Sequence, residues 1–359
     1  MYDALPTARR TRFVCISDTH NASPGGAFKL PKGDVLIHAG DMTNQGSYPE
    51  LKKTLNWLEE ADFEKKIVIA GNHDITLDTD FYLQHGLHFH NQNIQNPVQC
   101  QDLLESSPSI TWLKHESAVV KLTSPTGPRT TFKIFGSPYS PAEGKWAFGY
   151  RADEAEQLWS HIPLDSDIVL THTPPRDHFD VRTGQSPVGC VGLREALWRV
   201  RPRLAICGHV HDGRGAERIR WDLEKSDIKY REASVEKWTD PGAGNKKLSV
   251  VDLTVKGGHP INNDGSVGIS TSNPGIETPA GSSYTTANSS LLLPNSLPQT
   301  NLDRGWSQTC DAEALSNRMG RQETCVINAA LMASNYPHAG GRKYNKPIVV
   351  DIDLPIWED

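Results

Sequence analysis

Five short segments of this 359-residue chain carry side chains of the kinds that bind cations: Asp18-Thr19-His20, Gly40-Asp41, Gly71-Asn72-His73-Asp74, Thr171-His172 and Gly208-His209-Val210-His211. Each follows an apolar run that reads as a strand. Carboxylate, amide and imidazole donors without thiolate suit divalent Mn, Fe or Zn. Three oxygen donors and four imidazoles delivered from separate strand ends suit a two-cation centre of the kind that hydrolyses phosphate esters. Singly, each segment has an ordinary explanation: a turn aspartate, an asparagine in the left-handed region, a surface histidine or a satisfied core one. Their order, and the placing of each at a strand end, makes coincidence a poor account.

The elements that must position these donors are legible as apolar runs. Residues 12–17 (RFVCIS), 34–39, 66–70, 131–135, 167–170 and 204–207 are nearly continuously apolar, the pattern of strands covered on both faces. Helical stretches separate several of them. Ser47 caps one that runs through Asp62 with Leu51, Leu55 and Leu58 on one face, and residues 151–161 and 192–200 suggest two more. Alternating strands and helices predict an α/β sandwich, with ligands bound beyond the carboxyl ends of its strands. In extended backbone, Asp18 and His20, and likewise His209 and His211, would point the same way.

Apolar content of 37% and a mean hydropathy of −0.50 are low for a compact protein. The deficit gathers in residues 256–321, rich in Gly, Ser, Thr, Asn and Pro, which predict a largely disordered insertion and a candidate protein-partner segment. The main domain is then expected over 10–255 and 322–359, with strands again at 323–330 and 346–354. A net charge of −6 argues against bulk nucleic-acid binding. No apolar run is long enough to span a membrane. The first twelve residues lack a secretory core, and six cysteines without C-x-x-C spacing fit a reducing, intracellular, cytoplasmic setting. Cys15 and Cys207 read as buried thiols.

The ordered motifs resemble the calcineurin-like metallophosphoesterase superfamily. The segments HAGDMTNQG (38–46), GNHDITLD (71–78), FGSPYSP (135–141), THTPP (171–175), GHVHDGRG (208–215), INAA (327–330) and NKPIVVDIDLP (345–355) are similar to its metallophosphoesterase-domain-containing branch. The resemblance implies two mixed β-sheets flanked by helices. It implies one cation held by Asp18, His20 and His211, a second held by Asn72, His172 and His209, and Asp41 bridging the two. His73 would be the catalytic histidine beside the leaving group. Manganese is favoured by the resemblance, with iron and zinc as alternatives. Two divalent ions bring four positive charges against the two of Asp18 and Asp41. The residual field would attract a phosphate ester and make a bridging hydroxide available to attack phosphorus.

The family's protein-phosphatase branch has an aspartate where Asn44 stands here, and an amide cannot stabilise an imidazolium by charge. That shifts the expected substrate from phosphoproteins and monoesters towards small phosphodiesters such as a cyclic nucleotide. A monoesterase, or a scaffold of low activity, is the alternative. Asp74 either orients His73 or caps the turn after it. Asp212 is a candidate partner for the ligand histidines. Tyr139, Trp146 and Arg176 are candidate substrate groups, the aromatics by stacking and the arginine through phosphate.

Overall fold

The computed structural model describes residues 7–184, 186–223, 230–264, 320–334, 337–338 and 340–357. In chain order the elements are β1 (Ala8–Ile16), β2 (Val35–Ala39), α1 (Tyr48–Glu60), β3 (Lys65–Ile69), α2 (Thr79–Phe89), α3 (Pro97–Glu105), β4 (Ile110–Trp112), β5 (Glu116–Lys121), β6 (Thr131–Ser137), β7 (Ser140–Pro141), β8 (Gly149–Tyr150), α4 (Ala155–Ser160), β9 (Ile168–Thr171), α5 (Val191–Val200), β10 (Leu204–Cys207), β11 (Gly215–Trp221), β12 (Glu232–Lys237), β13 (Ser249–Leu253), β14 (Glu323–Asn328) and β15 (Ile348–Pro355).

Two mixed sheets pack face to face. One has the order β13-β15-β1-β2-β3-β4, the other β12-β11-β14-β10-β9-β6-β5. The apolar strands alternate between two buried layers, which is why their sequences show no polar face. Phe13 and Cys15 of β1 point between the sheets with Ile37, Ile67, Ile134, Ile168, Ile206 and Ile327. Val14 and Ile16 point the other way, against Leu51, Leu55 and Leu58 of α1 and Leu104 of α3. The outer face of the second sheet is covered by Trp159 of α4 and Leu193, Leu197 and Trp198 of α5. In α1 the Glu50 carboxylate reaches back to the Ser47 N–H at 3.0 Å, satisfying one of the amides that a helix start leaves unpaired. Cys15 and Cys207 are buried, and among the described residues no helix is long and apolar enough to cross a membrane.

Most of the body of the expected insertion (265–319) lies outside the described residues, but its flanks do not. Residues 256–264 and 320–321 are built into the fold. Asn263 is 1% exposed, pairs with Arg321 in an antiparallel bridge, and donates to the carbonyls of Arg201 and Glu323 at 2.8 and 3.0 Å. Joining Asp264 to Gly320 through a short glycine-serine link should therefore leave thermal unfolding and cation content close to those of the full chain. Beginning the excision at Gly257 removes Asn263 and strands two buried carbonyls, and should lower stability by about 2 kcal/mol or more in a urea titration.

Candidate metal centre

The donors come from the carboxyl ends of parallel strands in both sheets. Asp18 and His20 follow β1, Asp41 follows β2 and Asn72 follows β3. His172 follows β9, and His209 and His211 follow β10. A parallel bridge from Ser17 to Ala330 stitches the sheets together at this edge. The extended backbone expected after β1 and β10 is not what forms. Asp18 (φ 52°), His20 (φ 42°), Asp41 (φ 54°) and His209 (φ 65°) are left-handed, a conformation that costs a non-glycine residue on the order of 1–3 kcal/mol. Tight turning, not strand alternation, aims these side chains inward. Two glycines allow the loops to close on one another. A Cβ at Gly71 would lie 2.3 Å from the Asp41 N and Oδ1, and one at Gly208 would lie 1.9 Å from the Ser17 Oγ.

Two donor groups result. Those of Asp18, His20 and His211, and those of Asp41, His172 and His209, each lie within 4.8 Å of one another. In the first, His20 Nε2 and His211 Nε2 are 3.3 Å apart and His211 Nε2 is 3.6 Å from Asp18 Oδ1. In the second, His172 Nε2 is 3.2 Å from His209 Nδ1, and Asn72 Oδ1 lies 3.0 and 2.8 Å from those two nitrogens. Asp41 faces both groups, with Oδ1 3.4 Å from His172 Nε2 and Oδ2 3.8 Å from His20 Nε2.

This donor set fits a pair of cations. The Nδ1–H of His172 donates to the Ala39 carbonyl at 2.8 Å, and that of His20 to the Thr43 carbonyl at 3.1 Å. A carbonyl can only accept, so each Nε2 turns a lone pair inward, the arrangement of a metal-binding histidine. Without positive charge between them, these nitrogens and oxygens repel. Burial opposes charge on His172, but the Asp41 carboxylate outweighs it and lifts the imidazole to about 9. Burial is the largest influence on Asp18 and opposes its ionisation, yet the His211 hydrogen bond and the charges of His211 and His172 together outweigh it and draw the carboxyl down to about 2.

The surrounding residues differ in part from expectation. Asp74 neither touches the His73 ring nor caps the following turn through its side chain. It is fully buried, and it accepts from the N–H groups of Met42 (3.2 Å), Thr43 (2.9 Å) and Gly71 (2.9 Å) and from the Thr43 hydroxyl (2.6 Å), clamping the Asp41 loop to the Asn72 loop. His73 is held instead by the Asn44 backbone carbonyl, 2.8 Å from Nδ1. The Asn44 amide turns away, donating to Asn21 and Glu50 and accepting from Arg342. Trp146 stacks on His73, with ring centroids 3.9 Å apart.

A cleft of about 550 Å³ opens over the donors, lined by Asp41, Asn72, His73, His209, Trp146 and Arg182 among others. Two expected substrate groups are not part of that lining. Tyr139 packs in the core beside His115 and Phe148. Arg176 ties down its own loop through the Pro187 carbonyl and Asp180. Asp212 accepts from the Thr183 N–H at 2.8 Å, steadying the Arg182 loop. Two residues escaped the sequence reading. Arg182 sits in an irregular stretch that gives no periodic signal. Asn328, visible only as part of INAA, is fully buried and donates to the carbonyls of Gly208 (3.3 Å) and Val210 (3.0 Å), fixing the histidine turn.

Fold and donors together define an α/β protein with two adjoining groups of candidate cation donors at the carboxyl edge of two stacked sheets. The family model for calcineurin-like phosphoesterases matches residues 11–213, and the chain belongs to that family. Human metallophosphoesterase domain-containing protein 1 is 36% identical over 221 residues, 60% of this chain and 64% of that protein, in keeping with the branch the motifs resemble. A probable rhamnogalacturonate lyase C of Emericella nidulans is 40% identical over 219 residues, 60% of this chain and 18% of that protein. The match thus spans less than two thirds of either relative. Among solved structures, a purple acid phosphatase from yellow lupin aligns with a TM-score of 0.34 at 16% identity, over 60% of this chain and 40% of that one.

Asp74→Ala would leave three buried N–H groups unpaired. It should cost more than about 3 kcal/mol in denaturant unfolding and lower cation content together with stability. Protonation gives a second expectation. The raised His172 (about 9) contributes stability to cation-free protein that is full below its unfolded value near 6.5 and lost as pH rises through about 9. Cations must displace that proton. Their affinity, measured by calorimetry, should rise with pH across this window by up to about tenfold per unit for each proton released.

Proposed function

We propose that the protein hydrolyses small phosphate esters using two divalent cations, with phosphodiesters, cyclic nucleotides among them, as its preferred class. The observation that carries this is the Asp41 carboxylate, which faces both donor groups while its Oδ1 accepts the His73 N–H at 2.8 Å. One carboxylate can thereby fix the spacing of two cations and the place of the adjacent imidazole. Asp18, His20 and His211 would hold one cation and Asn72, His172 and His209 the other, with Asp41 shared. Nitrogen and oxygen donors without sulfur support manganese, iron or zinc, and the resemblance favours manganese. Bound, the pair would supply Lewis acidity and an activated water.

The chain's own groups would do the rest. His73 Nδ1 donates to Asn44, so Nε2 is the nitrogen that can pass a proton to the leaving oxygen. Trp146 covers one face of the imidazole and limits the positions it can take. Asn44 supports His73 through a neutral backbone carbonyl, at the place where the protein-phosphatase branch has an aspartate. This supports a diester with a moderate leaving group over a phosphoprotein. We extend the reading to an intracellular, cytoplasmic enzyme in which the insertion that leaves the fold after Asn263 and returns at Arg321 serves a partner protein.

Turnover of bis-aryl and mono-aryl phosphates by manganese-loaded protein tests the proposal. The diester should be preferred; a clear monoester preference reverses the substrate assignment. His73→Ala should lower kcat by about 10²–10⁴ with cations retained. Asp41→Asn should lower both activity and cation content. Activity that survives both substitutions removes the catalytic assignment.

A further inference from the structure

The mechanism above leaves one cationic group in the cleft without a task. Arg182 lies between β9 and α5, with its side chain 23% exposed. Its Nη1 donates to both carboxylate oxygens of Glu143, at 3.0 and 2.8 Å. Its Nη2 donates to His209 Nε2 at 3.0 Å. Glu143 belongs to the segment between β7 and β8 that also carries Trp146, so the ion pair joins the two loops that wall the cleft. The loop below Arg182 is well supported. Asp212 accepts from the Thr183 N–H, and Asp180, 1% exposed, accepts from Gly189 N–H at 3.0 Å.

We propose that Arg182 anchors the substrate's phosphoryl group, donating from Nη2 to a non-bridging oxygen while Glu143 holds Nη1. The inference rests on the phosphoesterase reading. Two physical points lead to it. The first is position. Arg182, Glu143 and His209 all line the cleft, and the Glu143 pair at Nη1 orients the guanidinium so that Nη2 lies against His209, at the edge of the second donor group. The second is charge. A guanidinium beside a cation pair is repelled by it unless an anion lies between them, and a phosphate oxygen is the acceptor whose geometry and charge a guanidinium fork matches. Arg176, the arginine suggested by sequence, is turned to the Pro187 carbonyl and Asp180 of its own loop and is not part of the cleft lining.

Inorganic phosphate is the probe. Its binding to manganese-loaded full-length protein is measured by calorimetry for the wild type, Arg182→Ala and Arg182→Lys, with cation content and thermal unfolding recorded alongside. Arg182→Ala should bind phosphate about ten- to a hundredfold more weakly with cation content unchanged, since a charge-assisted hydrogen bond is lost. Arg182→Lys should recover part of that loss, because a point charge replaces the fork. On a bis-aryl phosphate the alanine variant should raise KM more than it lowers kcat. Binding within twofold of wild type overturns the proposal. So does loss of cations in both variants, or a loaded wild type that binds no phosphate. If the wild type binds phosphate in an Arg182-dependent way yet turns over no ester, the anchor stands and the catalytic reading falls.

Discussion

Two carboxylates, an amide oxygen and four imidazoles are brought within a few ångströms of one another here, a crowding of buried polar groups that needs a stiff frame. The frame is the shared carboxyl edge of two stacked sheets. Strands buried on both faces interdigitate with a packed layer on each side, so a shift of register would unseat side chains in both. The donors on β1, β2 and β3 are thereby locked relative to those on β9 and β10. Asp74 adds a local brace, taking hydrogen bonds from both the Asp41 and the Asn72 loops. Asn328 does the same for the His209 turn. Both braces are buried polar groups with several partners, the kind whose loss is costly because it leaves other groups unsatisfied.

Much of this was legible because residue type and strand end coincide. An apolar run that ends in a donor residue, with a glycine between them in three of the five cases, states both where the chain turns and what the turn presents, and these runs located the donors and the sandwich. The legible part thins where burial does. β5 exposes Glu116, Ser117, Val119 and Lys121, and β12 is exposed along nearly its whole length, so neither carries an apolar signature. α2 buries only Tyr82 and Gly86, too few for a helical stripe. Residues 256–264 have the composition of a loose loop, yet Asn263 is buried through hydrogen bonding, which hydropathy does not register.

Side-chain direction was the other gap. Spacing alone put Asp18 in register with His20, but left-handed turns place them. Asp74 and Asn44 flank His73 in the sequence reading, while in space one braces loops and the other offers its backbone. Arg176 and Arg182 are six residues apart in one irregular stretch. Which of the two reaches the cleft depends on contacts with Pro187, Asp180 and Asp212 that no local pattern encodes.

The four left-handed donor residues bear on how the protein could change over time. A glycine at any of positions 18, 20, 41 or 209 would relax the backbone. At 18 and 41 it would also strand the N–H groups of His209 and His73, whose hydrogen bonds those carboxylates accept. Backbone ease and buried hydrogen bonding therefore pull against each other there, and a chain released from its chemistry would find no cost-free single step at either aspartate.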